Sequence, residues 1–359
     1  MNLKVTEYDK YIYETQIKDF LPDSVFDFHT HVWYDAPKPG QTEETMDSRT
    51  DGWSSLVAKN NSIEDLTESL RLLFPGKKTK ALIFSNGVRN HNAIESNEYI
   101  RNASKTSGYP ALYYSRPTES PKELYDAILK GQFYGVKSYL ELAAPYIPSN
   151  EIRIFDFFPE EQLKVLNELK MVVMCHIPRN GRFRDKVNLN QLRIINDKYP
   201  DLKLIVAHVG RAYAMEDLGD PSFTSFDYLK DCNNLYYDIT ANTNAEVFTK
   251  MLEYISPDRI FFGSDLPITY MHMRRIVDEK ACYWNLVPPG IYGDLTNVPH
   301  MRDVSAEEGE KLTFFIYEEI LAMKKAAENA KLSKQDVANI FNDNAERMIK
   351  EIKERYHYE

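Results

Sequence analysis

Short apolar runs alternate with longer amphipathic stretches along most of the chain. The runs are rich in β-branched and aromatic residues and are bounded by polar or turn-forming ones, which is the pattern of buried strands. Eight are legible: Val25 to His29, Lys80 to Asn86, Ala111 to Ser115, Tyr134 to Tyr139, Met171 to His176, Lys203 to His208, Leu235 to Thr240 and Arg259 to Ser264. Between most of them lies a helix-like stretch, as in Ser62 to Leu73, Pro121 to Lys130, Glu160 to Leu169 and Leu189 to Lys198. The last part of the chain reads as helix, Ser305 to Ala330 and then Ser333 to Lys353, with Ser333 and Asp336 spaced as a helix start. Strands in strict alternation with helices predict an α/β fold, a (β/α)8 TIM barrel with extra C-terminal helices. A doubly wound open sheet is the competing architecture. Its usual marker is a glycine-rich turn after the first strand, where this chain has His-Thr-His.

Two long segments exceed a minimal barrel. Residues 34–61 are polar and carry Pro37, Pro39, Gly40 and Gly52; residues 281–304 carry Pro288, Pro289, Gly290, Gly293 and Pro299 among large apolar residues. Long loops in a compact domain are functional or disordered. The apolar content of the second favours a folded cap near the barrel mouth over a free loop, with a surface excursion packed on the outside as the alternative. No linker or repeat divides the chain, so residues 1–359 read as a single domain.

Composition narrows the partners. The 359 residues carry a net charge of -10, and 43% are hydrophobic, enough for a large core. An acidic excess argues against a nucleic-acid backbone, which needs a basic footprint. No apolar run approaches the ~20 residues that span a bilayer. The first residues lack the apolar stretch of a signal peptide. Cys175, Cys232 and Cys282 are far apart and form no C-x-x-C pair. A cytoplasmic protein acting on a small molecule is the expectation.

The chemistry gathers at strand ends. Residues two apart on a strand share a face, so His29 and His31 can point the same way and share an ion. His176, His208 and Asp265 (within Gly263-Ser264-Asp265) fall at the C-terminal ends of three further strands, where barrel active sites are built. A lone histidine at a strand end is more often structural. Four of the eight histidines at three such ends make a metal site the better reading. Three imidazoles and a carboxylate suit Zn2+, with Mn2+ or Fe2+ also compatible.

In order and spacing these motifs resemble the amidohydrolase superfamily, in particular its amidohydrolase-2 branch, which also holds decarboxylases of the aminocarboxymuconate semialdehyde type. The matching positions are His29 and His31, His176, His208, Gly263-Ser264-Asp265-Leu266-Pro267, and the closing stretch Val337 to Met348. The resemblance implies that His29, His31, His176 and Asp265 approach the metal. It implies that His208 and Asp265 handle the water's proton, or that His208 is a ligand in a two-metal site. Lys137 ends the fourth strand; carboxylated it would bridge two ions, otherwise it contacts substrate or an ion-pair partner, with Glu141 nearest in sequence. One ion is favoured. Homo-oligomers are common in the family and are a further expectation.

Arg179 and Arg182 follow His176, and Arg211 follows His208. Guanidinium suits bidentate capture of a carboxylate, so Arg179 and Arg211 are expected to bind substrate; solvated loop arginines are the plain alternative. Trp33 either lines the pocket or packs under the first long loop. The leading expectation is hydrolysis: metal-activated water attacks the carbonyl of an amide, ester or lactone. Non-oxidative decarboxylation is the second, and a metal-binding protein without catalysis the third.

Overall fold

The structure, a computed structural model, describes residues 4–34, 57–58, 60–86, 93–280, 282–296, 298 and 300–358. Most of the first long loop therefore lies outside the described residues. All eight expected strands are present: β1 (Ser24–His31), β2 (Lys78–Phe84), β3 (Tyr113–Tyr114), β4 (Gly135–Lys137), β5 (Val172–Cys175), β6 (Lys203–Val206), β7 (Leu235–Asp238) and β8 (Ile260–Phe261). Every pairing among them is parallel, and each joins strands consecutive in this series. The order never reverses, which removes the doubly wound alternative, whose switch point requires a reversal.

The ladders do not form one uninterrupted ring. β1 and β2 make a two-stranded sheet, and β3 to β8 a six-stranded one. Isolated parallel bridges lie at both seams, Ile83 with Ala111 and Thr30 with Leu266. At the second seam, Phe28 N–H donates to the Phe262 carbonyl at 2.9 Å. The strands that face the centre are buried almost end to end, as parallel strands covered on both faces are.

Local chemistry sets the helix starts. Ser62 and Ser120 cap α1 (Ile63–Leu73) and α2 (Pro121–Gly131) through reciprocal bonds with Asp65 and Glu123. Asp185 caps α3 (Lys186–Lys198) from one side. The C-terminal helices are more broken than their sequence pattern predicts. Residues 305–330 give a short turn at Ala306–Gly309 and then α4 (Phe315–Ala330). Within the gap Thr313 turns inward and donates to Asp9 Oδ1 at 2.8 Å. Beyond Lys334–Ala338 a π-helical turn at Asn339–Asp343 precedes α5 (Asn344–Tyr356). That turn offers the Ile340 carbonyl to Phe262 N–H at 2.8 Å, tying the tail to β8.

Residues 274–303 contain a separate three-stranded sheet: β9 (Arg274–Val277), β10 (Tyr283–Val287) and β11 (Met301–Asp303). Met271, Met273, Val287, Tyr292, Met301 and Phe315 form a small core of their own beneath it. The prolines and glycines that read as loop occupy the connection between β10 and β11.

Candidate metal centre

β1 supplies two imidazoles. His29 and His31 have ring centroids 5.5 Å apart, as the two-residue period requires. β8 delivers the carboxylate: Asp265 N–H donates to the His29 carbonyl at 2.7 Å, and Asp265 Oδ1 lies 3.0 Å from His31 Nε2 and 3.7 Å from His29 Nε2. Asp27 sets the spacing from below, its Oδ1 accepting from Ser264 N–H at 2.8 Å and His29 N–H at 3.2 Å. Gly263 permits the approach. A Cβ there would stand 2.4 Å from Thr240 Oγ1 and 2.6 Å from the His29 Cβ.

Donor atoms of His29, His31 and Asp265 lie within 4.8 Å of one another. His29 Nδ1 faces Asp238 Oδ2 at 2.9 Å and must donate to it. Its Nε2 is then the lone-pair nitrogen, and this buried atom has no hydrogen-bond partner among the described residues. Leaving a buried polar atom unmatched is costly, and a cation among the three donors resolves it. The residues fit a divalent ion.

His208 sits against the cluster, its ring centroid 4.9 Å from that of His29 and 5.2 Å from that of His176. Its Nδ1 lies 3.0 Å from the Thr240 carbonyl, so Nδ1 carries the proton and Nε2 the lone pair. His208 opens a left-handed turn: φ is 56° at His208, 50° at Val209, 66° at Gly210 and 60° at Arg211. Asp238 Oδ1 anchors it by accepting from His208 N–H at 2.7 Å. His176 follows β5, outside the three-donor cluster, and reaches it through His208.

Electrostatics favours neutral imidazoles. Burial, then the Lys137 charge, holds His29 well below the usual range; burial, then Arg211, does the same for His176. Burial also lowers His208, against the opposing pull of Asp265 and Asp238. For Asp265 burial alone would raise the carboxyl, but the His31 hydrogen bond and the charges of His208 and His31 outweigh it, and it stays ionised. Lys137 is buried at the end of β4 with Nζ 5.4 Å from the ring centroids of both Phe84 and Tyr139. Burial lowers its pKa, while Asp265 and Asp238 oppose that, ahead of Glu141.

The remaining expected residues divide. Arg211 lines a cavity of about 330 Å³ together with Arg182. Arg179 is instead ion-paired, its Nε 3.0 Å from Asp185 Oδ2. Trp33 is buried and exchanges backbone hydrogen bonds with Asn61. Sequence reasoning missed Asp238, which holds both His29 and His208. A buried acid ending a strand was its available signal. It also missed Tyr139, whose hydroxyl lies 3.4 Å from His31 Nδ1 and donates to the Ser85 carbonyl.

The amidohydrolase family model matches residues 26–350. No curated protein sequence matches the chain. Among solved structures, a probable 2-pyrone-4,6-dicarboxylic acid hydrolase from Acinetobacter baumannii with citric acid bound is similar at TM-score 0.53 and 14% identity, covering 91% of this chain and 99% of that one. A dihydroxybenzoic acid decarboxylase from Polaromonas sp. JS666, with bound manganese and an inhibitor, gives TM-score 0.53 at 16% identity over 94% and 99% of the two chains. A 4-oxalomesaconate hydratase from Rhodopseudomonas palustris gives 0.54 at 14% identity over 93% and 98%. At these identities the likeness is one of fold, and one fold hosts several reactions. No helix among the described residues is long and apolar enough to cross a membrane.

Proposed function

The chain belongs to the amidohydrolase family, and from that premise we propose that it is a metal-dependent hydrolase acting on the amide, ester or lactone carbonyl of a small, carboxylate-bearing substrate. The observation that carries the reading is the unpartnered lone pair of buried His29, turned to the same point as His31 and Asp265. His29, His31 and Asp265 are the proposed ligands of one divalent ion, with Zn2+ favoured for its affinity for imidazole nitrogen, and the family resemblance adds His176, which lies beyond His208 and outside that three-donor cluster, as a fourth. Mn2+ is compatible, since the Polaromonas neighbour holds manganese. The placement of Lys137 Nζ near two aromatic rings supports an ammonium and a single ion rather than a carboxylated bridge between two. The reading takes the eight strands as a closed barrel, the two seam bridges completing the ring, with the sheet β9–β11 as its cap.

A bound ion would polarise the carbonyl and lower the pKa of water beside it toward neutrality. The protein's own groups do the rest. His208, with Nδ1 committed to Thr240, offers Nε2 to orient the attacking water and take its proton. Asp265, ionised at rest, would accept that proton in turn and pass it to the leaving group, returning to its ionised form. Asp238 sets the tautomer of His29 through its ring and holds the backbone of His208 in place.

The charge of Arg211 beside His176 also supports a second reading, non-oxidative decarboxylation, in which an arginine near the ion holds the carboxylate that leaves. Metal analysis, followed by paired assays on lactone, ester and amide panels and on aromatic acids, separates them. Ester and lactone hydrolysis consumes base in a pH-stat, amide hydrolysis releases an amine, and decarboxylation releases CO2. Unchanged metal content in His29→Ala, His176→Ala and Asp265→Asn alike refutes the site itself.

A further inference from the structure

The peptide that joins Thr240 to Ala241 is held from both sides. Its carbonyl accepts a hydrogen bond from His208 Nδ1 at 3.0 Å. Its N–H donates to Glu319 Oε2 at 2.7 Å. A peptide unit is planar, so the tilt that Glu319 imposes on the N–H is also the tilt of the carbonyl that meets His208. We infer that Glu319 is a positioning residue for the proton acceptor: acting through this peptide, it fixes the His208 ring so that Nε2 faces the metal centre. The inference rests on the role given to His208 above and adds what holds its ring.

The peptide needs such a hold. β7 ends at Asp238, and just beyond it Ile239 N–H still donates to the Phe261 carbonyl at 3.1 Å. Ala241 then turns to a φ of +48°, a left-handed conformation that a residue with a Cβ seldom adopts unless its surroundings impose it. Ala241 is buried, and a buried N–H left unmatched is costly. Glu319 supplies the acceptor that the sheet no longer does. The other bonds of this segment fall on different peptides. Thr240 N–H donates to Asp238 Oδ1 at 3.3 Å, and the Ala241 carbonyl accepts from Arg275 Nη1 at 2.8 Å.

Glu319 is an expensive residue where it stands. It lies in the second turn of α4, whose buried face carries Ile316, Ile320 and Met323, and it is itself fully buried. An apolar residue is the ordinary choice there, since a carboxyl taken out of water must recover its hydrogen bonds. Its Oε1 has no hydrogen-bond partner among the described residues. Burial raises the carboxyl well above the ordinary range; the Ala241 N–H opposes this, and the charges of Asp27, Asp238 and Asp265 add to it. Oε2 accepts in the neutral acid as in the carboxylate, with the acid's proton resting on Oε1. The hold on the peptide therefore does not depend on ionisation. Because small misplacements of a catalytic group are costly to a reaction, an acceptor spent on the peptide behind His208 has a use that an apolar side chain cannot replace.

The test is made on the Zn2+-loaded protein with isotope-labelled imidazoles, by measuring how fast ring protons exchange with solvent. His29 Nδ1–H, held by Asp238 rather than by Thr240, is the internal reference. Glu319→Met fills the same space without an acceptor. Glu319→Asp keeps the carboxyl but stops a methylene short, and it carries the test if the methionine variant does not fold. In either, exchange at His208 Nδ1–H is expected to quicken roughly tenfold or more, the scale of one lost buried hydrogen bond, while His29 Nδ1–H stays near its original rate. Glu319→Gln, whose amide oxygen still accepts from Ala241, restores slow exchange at His208. Slow exchange at His208 in the folded Met or Asp variant, quickening of His208 only together with His29, or a glutamine variant that behaves like the methionine one overturns the positioning role. Failure of the underlying reading shows separately. If adding Zn2+ to metal-free protein leaves the ring resonances of His29 and His31 unmoved, the metal centre is wrong, while the His208 comparison on the metal-free protein still decides the role of Glu319.

Discussion

Asp238→Asn exchanges one oxygen for one nitrogen and should disable the metal centre without removing a ligand. The carboxylate now accepts at both ends. Oδ2 takes the His29 Nδ1 proton at 2.9 Å, and Oδ1 takes His208 N–H at 2.7 Å. Asparagine has one acceptor and one donor. If its oxygen stays with His208, its amide hydrogens face His29 Nδ1, which must become the acceptor. The proton of His29 then moves to Nε2, the atom that should meet the ion. If the amide flips, donor faces donor at His208 N–H, and a buried unmatched group costs about 1–3 kcal/mol. Either way metal affinity should fall by about 10–100-fold, the usual scale for removing such a partner. Competition against a chromophoric chelator measures this, with circular dichroism to check the fold. A variant that binds Zn2+ and Mn2+ within twofold of the unmodified protein would show that Asp238 does not set the tautomer.

Other outcomes follow from the same geometry. Gly263→Ala forces a Cβ into Thr240 and His29, so both unfolding temperature and metal content should drop, at a cost of about 1–3 kcal/mol for overpacking. Gly290→Ala, where nothing lies within 4 Å, should leave metal content untouched even though φ is +71°; equal metal loss in both variants would break the argument. Glu319 is buried and accepts from Ala241 N–H at 2.7 Å, and burial pushes its carboxyl well above the ordinary range. An acid with a raised folded pKa contributes stability that is full below its unfolded value, about 4.3, and is lost as pH rises through the folded one. Denaturant unfolding should therefore show the unmodified protein losing stability relative to Glu319→Gln between pH 5 and pH 8. The same difference at both pH values would count against a buried, protonatable Glu319.

The sequence pattern located what depends on period. Eight apolar runs became eight strands, and the two-residue spacing of His29 and His31 put both imidazoles on one side. Contacts between distant strands were less accessible. Asp238 matters because β7 lies next to β6 and Asp238 reaches across to His29 as well, and neither neighbour is visible in the residues around it. The arginines show a second limit. Arg179 and Arg182 both sit at positive φ, 68° and 53°. Through such a loop the spacing of residues no longer predicts side-chain direction, and Arg182, not Arg179, reached the cavity beside Arg211. The sheet β9–β11 was hidden for a related reason: the prolines and glycines of its connection masked the alternating buried and partly exposed positions of β10.

The left-handed turn from His208 to Arg211 bears on how the site could be lost. Three of its four residues have side chains that disfavour that hand by roughly 1–2 kcal/mol each. Such a turn cannot nucleate anything. It persists because Asp238 grips its first amide and because Gly210 lies so close to Phe183 that an added Cβ would come within 2.4 Å of the ring. Both restraints exist only after β5, β6 and β7 are side by side. The position of His208 therefore depends on that scaffold. Loosening any one of those three strands should thus cost the site its proton acceptor before it costs the molecule its core.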